Sequence, residues 1–96
     1  MEIDDVIKEN RGEILRIARK HGVSRMRLFG SVVRGEAEPD SDVDFLIDVD
    51  GPTTPWFPGG LVANLESLLG RSVDVVETGS IREEMKERIL EEAVPL

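Results

Sequence analysis

The chain has 96 residues, with twelve Lys and Arg against twenty Asp and Glu and a formal net charge of −8. A nucleic-acid binder needs a cationic surface that displaces counterions from phosphates, and because this acidic chain has no basic cluster we expect no direct nucleic-acid partner. No apolar run approaches the roughly 18 residues that span a bilayer, and Cys is absent, so we expect no membrane partner, no disulfide and no thiolate metal site.

The N-terminus, Met1 to Asp5, is acidic where a secretory signal would be basic and then apolar. We therefore expect one cytoplasmic domain over residues 1–96, with a modest hydrophobic core.

Apolar residues recur at helical spacing over residues 4–20, which predicts an amphipathic helix. Gly12 weakens the middle of this helix, so a break there is possible. Gly22, after Lys20, fits a C-terminal stop.

Residues 25–29 are predicted to form a short strand, and residues 31–36 a short helical turn opened by Ser31. A turn over residues 37–41 follows. The segment 43–49 reads Val-Asp-Phe-Leu-Ile-Asp-Val, and its nearly continuous apolarity predicts a central strand buried on both faces. Residues 50–60 contain three Pro and three Gly, which predicts a loop.

The apolar residues of 61–69 line one side of a helix that Gly70 closes, and residues 73–77 form another strand. Ser80 and Glu83 have the spacing of a capping box for a last helix from about Ile81 to Glu92. The residues predicted on its inner side are Ile81, Met85, Ile89 and Ala93. This order of helices and strands predicts an α/β sandwich with one small sheet.

The acids of the central strand are the main candidates for chemistry. Side chains alternate along a strand, so Asp42 and Asp44 project from the same face and their carboxylates can converge on one cation. Mg²⁺ takes hard oxygen ligands, usually one or two carboxylates with substrate phosphates and waters. Asp48 has the same parity but lies roughly 13 Å further along an extended strand. We interpret Asp48 as a solvated strand end.

Asp74 lies among β-branched residues in the next predicted strand. A carboxylate there would be costly if it were buried without a cation or hydrogen-bond donors. If this strand neighbours that of Asp42 and Asp44, Asp74 becomes a third metal ligand, and it could also accept a proton from an attacking hydroxyl. Three carboxylates around a pair of metal ions would stabilise the entering and leaving oxygens of an in-line displacement.

Gly30 and Ser31 form the second half of the predicted site. Gly30 lets a phosphate approach the backbone without a β-carbon in the way. Ser31, at a helix start, offers its hydroxyl and nearby amides to an anion, aided by the helix dipole. Arg34 follows one turn later. It either binds a phosphate or carboxylate of the substrate, or forms a surface ion pair with Glu36 or Glu38.

Three further features have less specific interpretations. His21 is the only histidine, and at a helix end it is expected to be a cap or dipole partner rather than a catalyst. Trp56 and Phe57 are expected to pack over the core rather than contact a nucleobase, and a protein contact stays open. The C-terminal Ala-Val-Pro-Leu either packs intramolecularly or docks on another chain.

Gly30-Ser31, ten intervening residues and Asp42-x-Asp44 resemble the signature of the DNA polymerase β-like nucleotidyltransferase superfamily. The longer string from Leu28 to Asp48 is similar to its minimal nucleotidyltransferase branch, and nearly the whole chain resembles the MntA-type antitoxins. The resemblance implies the polymerase β-like fold, a small mixed sheet flanked by helices.

By that resemblance Asp42, Asp44 and Asp74 would be catalytic and would bind two Mg²⁺, while Gly30 and Ser31 would hold the triphosphate of ATP. Arg34, from its position one turn later, is a further candidate for binding the nucleotide. The resemblance also implies a partner, a HEPN-domain ribonuclease toxin of the HepT type, which such antitoxins neutralise by transferring AMP to a tyrosine. The chain length leaves no residues for an acceptor-binding domain, so we expect the acceptor surface to come from a bulky partner.

Two alternatives stay open. In the first, the chain is an antitoxin without catalytic activity, whose acidic surface masks a basic ribonuclease. In the second, it transfers a nucleotide to a small molecule such as an aminoglycoside. Replacing Asp42 and Asp44 separates the catalytic antitoxin from the binding antitoxin, because protection should survive only if the chain acts by binding the toxin.

Overall fold

The structure is a computed structural model that describes residues 2–96. The helices are α1 (Ile3–Glu9), α2 (Arg11–Lys20), α3 (Ser31–Arg34), α4 (Gly59–Leu69) and α5 (Glu83–Glu92), and the strands are β1 (Val23–Phe29), β2 (Val43–Val49), β3 (Val73–Glu77) and β4 (Val94–Pro95). The predicted bounds of β2 and β3 are confirmed, as is the end of the fourth helix at Gly70, which adopts the left-handed conformation.

The strands form one mixed sheet in the order β3-β2-β1-β4. β2 runs antiparallel to β1 and parallel to β3, so the prediction that β2 is a central strand is confirmed. The parallel step from β2 to β3 needs a crossover connection, and α4 supplies it. The sheet and its helices confirm the predicted α/β architecture.

Helices α1, α2 and α4 contribute their buried residues to one hydrophobic cluster with the sheet. Val43, Phe45 and Ile47 of β2 belong to this cluster and are fully buried. Burial of such side chains stabilises the fold by about 1.5–3 kcal/mol each relative to exposure. Asp44 and Leu46 lie on the opposite face because strand side chains alternate. Leu46 is also fully buried, which agrees with the prediction of a strand covered on both sides.

The N-terminal helical segment is broken two residues before Gly12. Helices α1 and α2 meet at Asn10, in place of one helix over residues 4–20. The Asn10 side-chain amide donates to the Val6 carbonyl at 2.8 Å. Side chains of this kind compete with the helical hydrogen bonds of the backbone, and this local competition explains a break that the apolar spacing does not reveal.

Three predicted elements differ in length. β1 begins at Val23 rather than 25, and its pairing with β2 shifts register between Val23 and Arg25, as at a β-bulge. α3 ends at Arg34 rather than residue 36, because Gly35 follows in the left-handed conformation that closes a helix. α4 begins at Gly59, so the loop before it is shorter than predicted.

The predicted capping box of Ser80 and Glu83 is wrong. Thr78–Ser80 form a 3-10 turn, and α5 begins at Glu83 with Arg82 at the N-cap and no side-chain cap bond. The predicted inner side of this helix is only partly correct, since α5 has no buried residue and Met85 is exposed. Helical periodicity identifies an apolar face but does not determine how much of that face another element covers.

The C-terminal residues form an edge strand that the sequence analysis did not predict. Val94 and Pro95 pair antiparallel with β1, and Leu96 donates its backbone amide to the Met26 carbonyl at 3.3 Å. The intramolecular alternative for this segment is therefore the observed one. Over residues 2–96 no helix combines the length and apolarity needed to cross a membrane.

Candidate active site

Asp44 and Asp74 lie directly opposite each other in the parallel pair β2–β3. Asp42 precedes β2 by one residue, on the side of the strand that carries Asp44. Asp44 is half-buried, whereas Asp42 and Asp74 are exposed. The condition placed on Asp74, that its strand neighbours the strand of the other two acids, is met. The three predicted acids thus lie together at one end of the sheet.

The three carboxylates repel one another. Burial, followed by the charges of Asp74 and Asp42, raises the pKa of Asp44 from 3.8 to about 6, although Arg34 opposes the rise. A raised carboxylate pKa means that the surroundings disfavour the ionised form. At neutral pH this end of the sheet therefore carries excess negative charge, which a cation would neutralise.

The chemistry of the acids suits Mg²⁺ that arrives with a phosphate. Mg²⁺ usually takes only one or two carboxylates and completes its octahedron with substrate phosphates and waters. Within residues 2–96 no group of three or more His, Cys, Asp or Glu side chains is arranged to hold a metal ion by itself. Asp42, Asp44 and Asp74 supply carboxylates of the kind that such an ion takes, and substrate phosphates and waters would complete its octahedron.

The position of the Asp44 side chain favours a glycine at residue 30. Gly30 follows the strand residue Phe29, which pairs with Asp44, and its backbone has φ 81° and ψ −153°. A β-carbon at Gly30 would overlap the Oδ2 atom of Asp44, and side chains rarely adopt a positive φ. The structure thus gives Gly30 a role that the sequence analysis did not identify: it makes room for a carboxylate of the site.

Ser31 is the first residue of α3 and is half-buried. The N-cap residue of this helix is Gly30, which has no side chain to cap the helix start. α3 has only four residues, and so short a helix adds little dipole to the site. The expected contribution of the helix dipole at Ser31 is therefore small, and the hydroxyl itself is the group that could contact a ligand.

Arg34 bonds to two carboxylates. Its Nε donates to Glu36 at 2.5 Å, which is the surface ion pair considered in the sequence analysis, and its Nη1 donates to Oε1 of Glu92 at 2.7 Å. The other oxygen of Glu92, Oε2, accepts a hydrogen bond from the Gly30 backbone amide at 2.8 Å. Glu92 thus connects the end of α5 to both Gly30 and Arg34.

Glu92 is a residue of the site that the sequence did not predict. One signal was present, because the last turn of α5 has no basic residue and carries Glu91 and Glu92 in sequence. The C-terminal end of a helix dipole is negative and favours cations. Acids at this position are unfavourable unless other groups compensate, and the Gly30 amide and Arg34 are those groups.

His21 holds the loop after β2. It is the C-cap residue of α2, as predicted, but its buried side chain also forms two long-range hydrogen bonds. Nδ1 lies 2.6 Å from the Thr54 hydroxyl and Nε2 lies 2.8 Å from Oδ1 of Asn64. The Asn64 oxygen can only accept, so Nε2 carries the proton in this bond. His21 therefore has a structural role at the opposite end of β2 from Asp42.

Trp56 and Phe57 have different environments. Phe57 packs against the hydrophobic cluster, as predicted for the pair, but Trp56 is 91% exposed. Its φ is 65°, a conformation that costs a residue other than Gly about 1–3 kcal/mol. The expectation that Trp56 packs over the core is wrong. The loop after β2 also lies at the far end of the strand from the three acids, which supports the expectation that Trp56 does not contact a nucleobase at the site.

Asp48 is separate from the three acids. It lies on the same face of β2 as Asp44, roughly 13 Å further along the strand. It is half-buried rather than fully solvated, and its Oδ2 is 3.9 Å from an Nη atom of Arg27. The structure therefore agrees with the prediction that Asp48 does not share a cation with Asp44.

Comparison with known proteins identifies the family. The model of the nucleotidyltransferase domain family matches residues 11–96. A protein of Methanocaldococcus jannaschii, provisionally assigned as a protein adenylyltransferase, is 40% identical over 88 residues, which are 92% of this chain and 95% of that protein. The protein adenylyltransferase MntA of Thermococcus cleftensis is 36% identical over 93 residues, which are 97% of this chain and 91% of that protein.

Solved structures share the fold. A provisionally assigned minimal nucleotidyltransferase is 38% identical, with a TM-score of 0.85 over 100% of this chain and 97% of that chain. A toxin–antitoxin structure with AMP-PNP matches at 22% identity, with a TM-score of 0.75 over 90% of this chain and 71% of that chain. An MntA–HepT toxin–antitoxin structure matches at 19% identity, with a TM-score of 0.66 over 90% of this chain and 68% of that chain. The fold expected from the resemblance, a small mixed sheet flanked by helices, is confirmed.

Proposed function

Because the chain belongs to the nucleotidyltransferase domain family, in the branch that contains the MntA proteins, we propose that it is a Mg²⁺-dependent protein adenylyltransferase and an antitoxin. It transfers AMP from ATP to a tyrosine of a HEPN ribonuclease toxin of the HepT type. The observation that carries this proposal is the juxtaposition of Asp44 with Asp74 on adjacent strands, beside Asp42 and the Gly30-Ser31 turn.

Each acid has a role in the proposed reaction. Asp42 and Asp44 would hold the metal-bound triphosphate, and Asp74, which lies opposite Asp44, would contact the same metal ions and the acceptor hydroxyl. When bound, two Mg²⁺ ions supply positive charge that stabilises the entering oxygen and the leaving pyrophosphate. Burial, and after it the charges of Asp74 and Asp42, raise the pKa of Asp44, which supports a site that is completed by a cation.

The proposed step is an in-line displacement at the α-phosphorus of ATP. The tyrosine oxygen forms a bond to this phosphorus, and the bond from the phosphorus to the oxygen that bridges the α- and β-phosphates breaks. Pyrophosphate leaves with that oxygen, AMP stays on the tyrosine, and Asp74 takes the phenolic proton. Positioning of the reacting groups supplies much of the rate enhancement in such transfers.

The triphosphate lies against the turn after β1 in this proposal. The Gly30 amide and the Ser31 hydroxyl donate to phosphate oxygens, and the Arg34 guanidinium adds a positive charge that can bind a phosphate in a bidentate manner. The position of Gly30 beside Asp44 supports this arrangement, because it places the phosphate donors next to the proposed metal ligands.

A protein acceptor is supported by the open shape of the site. Asp42 and Asp74 are exposed, so a large partner can reach them without an opening motion. The MntA–HepT toxin–antitoxin structure shares the fold, and its pairing of an MntA protein with HepT motivates the choice of partner. Since the reaction consumes ATP, we place it in the cytoplasm.

The position of the label in ATP tests the proposed bond cleavage. ATP labelled at the α-phosphate should label the cognate HEPN protein in the presence of Mg²⁺ and this chain, whereas ATP labelled at the γ-phosphate should not. Label from the γ-phosphate would indicate phosphoryl transfer and overturn the proposal. Replacement of the target tyrosine by Phe should abolish labelling, because the acceptor oxygen is lost.

A binding antitoxin is the second candidate function, and the net charge of −8 favours it, because an acidic surface attracts a basic ribonuclease. In this case the chain would block the toxin without ATP. Cells that express the toxin with the double variant Asp42→Asn/Asp44→Asn distinguish the two functions. Protection by this variant would support binding alone, and loss of protection would support catalysis.

A further inference from the structure

The carboxylate of Glu92 bonds to the Gly30 amide and to Arg34 at the same time. Its Oε2 accepts from the Gly30 nitrogen at 2.8 Å and its Oε1 accepts from Nη1 of Arg34 at 2.7 Å. Both donors belong to the turn that the proposed function assigns to the triphosphate. A carboxylate oxygen and a phosphate oxygen accept the same kind of charge-assisted hydrogen bond, so Glu92 and a triphosphate would use the same donors.

The position of Glu92 is otherwise unfavourable for an acid. It lies at the negative end of the α5 dipole, in a last turn without a basic residue, and its charge also contributes to the raised pKa of Asp44. The hydrogen bond from Arg34 is the largest influence and lowers the pKa of Glu92; burial opposes it, while the bond from the Gly30 amide and the charges of Arg34 and Arg88 lower the pKa further. The carboxylate is therefore stabilised as an anion, chiefly by the bond from Arg34.

We propose that Glu92 is a displaceable internal anion that determines which ligands the triphosphate subsite accepts. The inference rests on the proposed function. A nucleotide must replace the Glu92 carboxylate to reach the Gly30 amide and Arg34, so every ligand binds more weakly than it would to an empty subsite. A triphosphate carries several negative charges and can compete. A group of lower charge competes less well.

The same competition favours release of the product. Pyrophosphate leaves the α-phosphorus while bound to the donors that Glu92 occupies in the free protein. Return of the carboxylate to Gly30 and Arg34 displaces it. The release of Glu92 requires only a small conformational change. Glu92 is half-buried, and rotation of its side chain frees both donors without breaking the pairing of β4 with β1. Glu92, which is not one of the three acids, thus lowers the affinity of the site for both substrate and product.

The variant Glu92→Gln tests this inference, with Glu91→Gln as the matched control. Both changes remove one negative charge from the last turn of α5, but Glu91 is exposed and lies outside the contacts to Gly30 and Arg34. Calorimetry would give the dissociation constants of Mg²⁺-ATP and Mg²⁺-pyrophosphate for the three proteins. Glu92→Gln should bind both ligands about tenfold more tightly than the wild type, and Glu91→Gln should change neither constant more than about twofold.

The possible outcomes separate the inference from the proposed function. Equal or weaker binding by Glu92→Gln, with the wild type binding ATP, would overturn the inference and indicate that Glu92 positions Gly30 and Arg34 for the nucleotide. Equal gains in both variants would also overturn it, because net charge alone would explain them. No binding by any of the three folded proteins would overturn the proposed function. If Glu92→Gln fails to fold, Glu92→Asp, whose shorter carboxylate cannot reach both donors, should show the same gain.

Discussion

The space above Gly30 is filled by the carboxylate of Asp44: a β-carbon at Gly30 would overlap Asp44 Oδ2. This relationship couples the phosphate-binding turn to the proposed metal ligand, so neither residue can change without affecting the other.

Gly30→Ala should therefore displace Asp44 and lower kcat/KM for AMP transfer by at least about a hundredfold, since a misplacement of about 1 Å can have an effect of this size. The measurement is steady-state transfer to the partner. Gly35→Ala is the control, because Gly35 also has a positive φ but has open space around it. The control should lose about 1–2 kcal/mol of stability and keep its activity. Similar activity losses in both variants would show that backbone strain, not contact with Asp44, is responsible.

The raised pKa of Asp44, about 6, predicts a pH-dependent stability. A carboxyl whose pKa is higher in the folded state contributes stability that is fully present below the unfolded pKa, and this contribution is lost as pH rises through about 6. Asp44→Asn keeps a neutral side chain at every pH. In EDTA the variant should have a higher melting temperature than the wild type at pH 8, and the difference should shrink between pH 6 and 4.

Thermal unfolding followed by circular dichroism at several pH values checks this prediction. A lower melting temperature of Asp44→Asn at pH 8 would show that the ionised carboxylate is stabilised in the fold. Addition of Mg²⁺ with ATP should raise the melting temperature of the wild type but not that of the variant, because only the wild type has the ligand.

Trp56 should report an exposed environment. It is the only tryptophan and is 91% exposed, so its fluorescence maximum in the native protein should lie close to that in concentrated urea. Trp56→Ala should change the free energy of unfolding by less than about 0.5 kcal/mol, whereas Phe57→Ala should lower it by about 2 kcal/mol or more, because Phe57 packs against the core. A blue-shifted native emission, or equal losses in the two variants, would contradict the structure of this loop.

His21→Ala should destabilise the fold without affecting the chemistry. The variant loses the hydrogen bonds to Thr54 and Asn64, each of which contributes about 0.5–1.5 kcal/mol. Urea denaturation should show a loss of about 1–3 kcal/mol, and kcat at saturating ATP should stay within about twofold of the wild type. Lys20→Ala, an exposed neighbour, is the stability control. A large fall in kcat with unchanged stability would assign His21 to the reaction.

The central strands and their acids could be predicted from the sequence because the information is local. The apolar run of β2 defines a buried strand, and the period of two along a strand places Asp42 and Asp44 on one face. The position of Asp74 opposite Asp44 could be predicted only on the condition that their two strands are neighbours, because the local pattern does not determine strand order. The Gly30-Ser31 turn was recognisable from its spacing to these acids.

The features that the sequence did not predict depend on distant contacts or on competition within one turn. Glu92 contacts Gly30 across 62 positions of the chain, and no periodic pattern encodes that contact. Asn10 ends α1 through its own side chain, whereas Gly12 appeared to be the weaker position. β4 has two residues, too few for alternation to be visible, and it forms only because β1 offers an edge.

Intact mass spectrometry of the cognate HEPN protein tests the central claim most directly. The protein would be incubated with Mg²⁺, ATP and one of three chains: wild type, Asp42→Asn/Asp44→Asn, or the control Asp48→Asn, which changes an acid on the same face away from the site. The account predicts a mass gain of one or more AMP units with the wild type and with Asp48→Asn, and none with the double variant. A stable complex without any mass gain for the wild type would contradict the account and indicate an antitoxin that acts by binding.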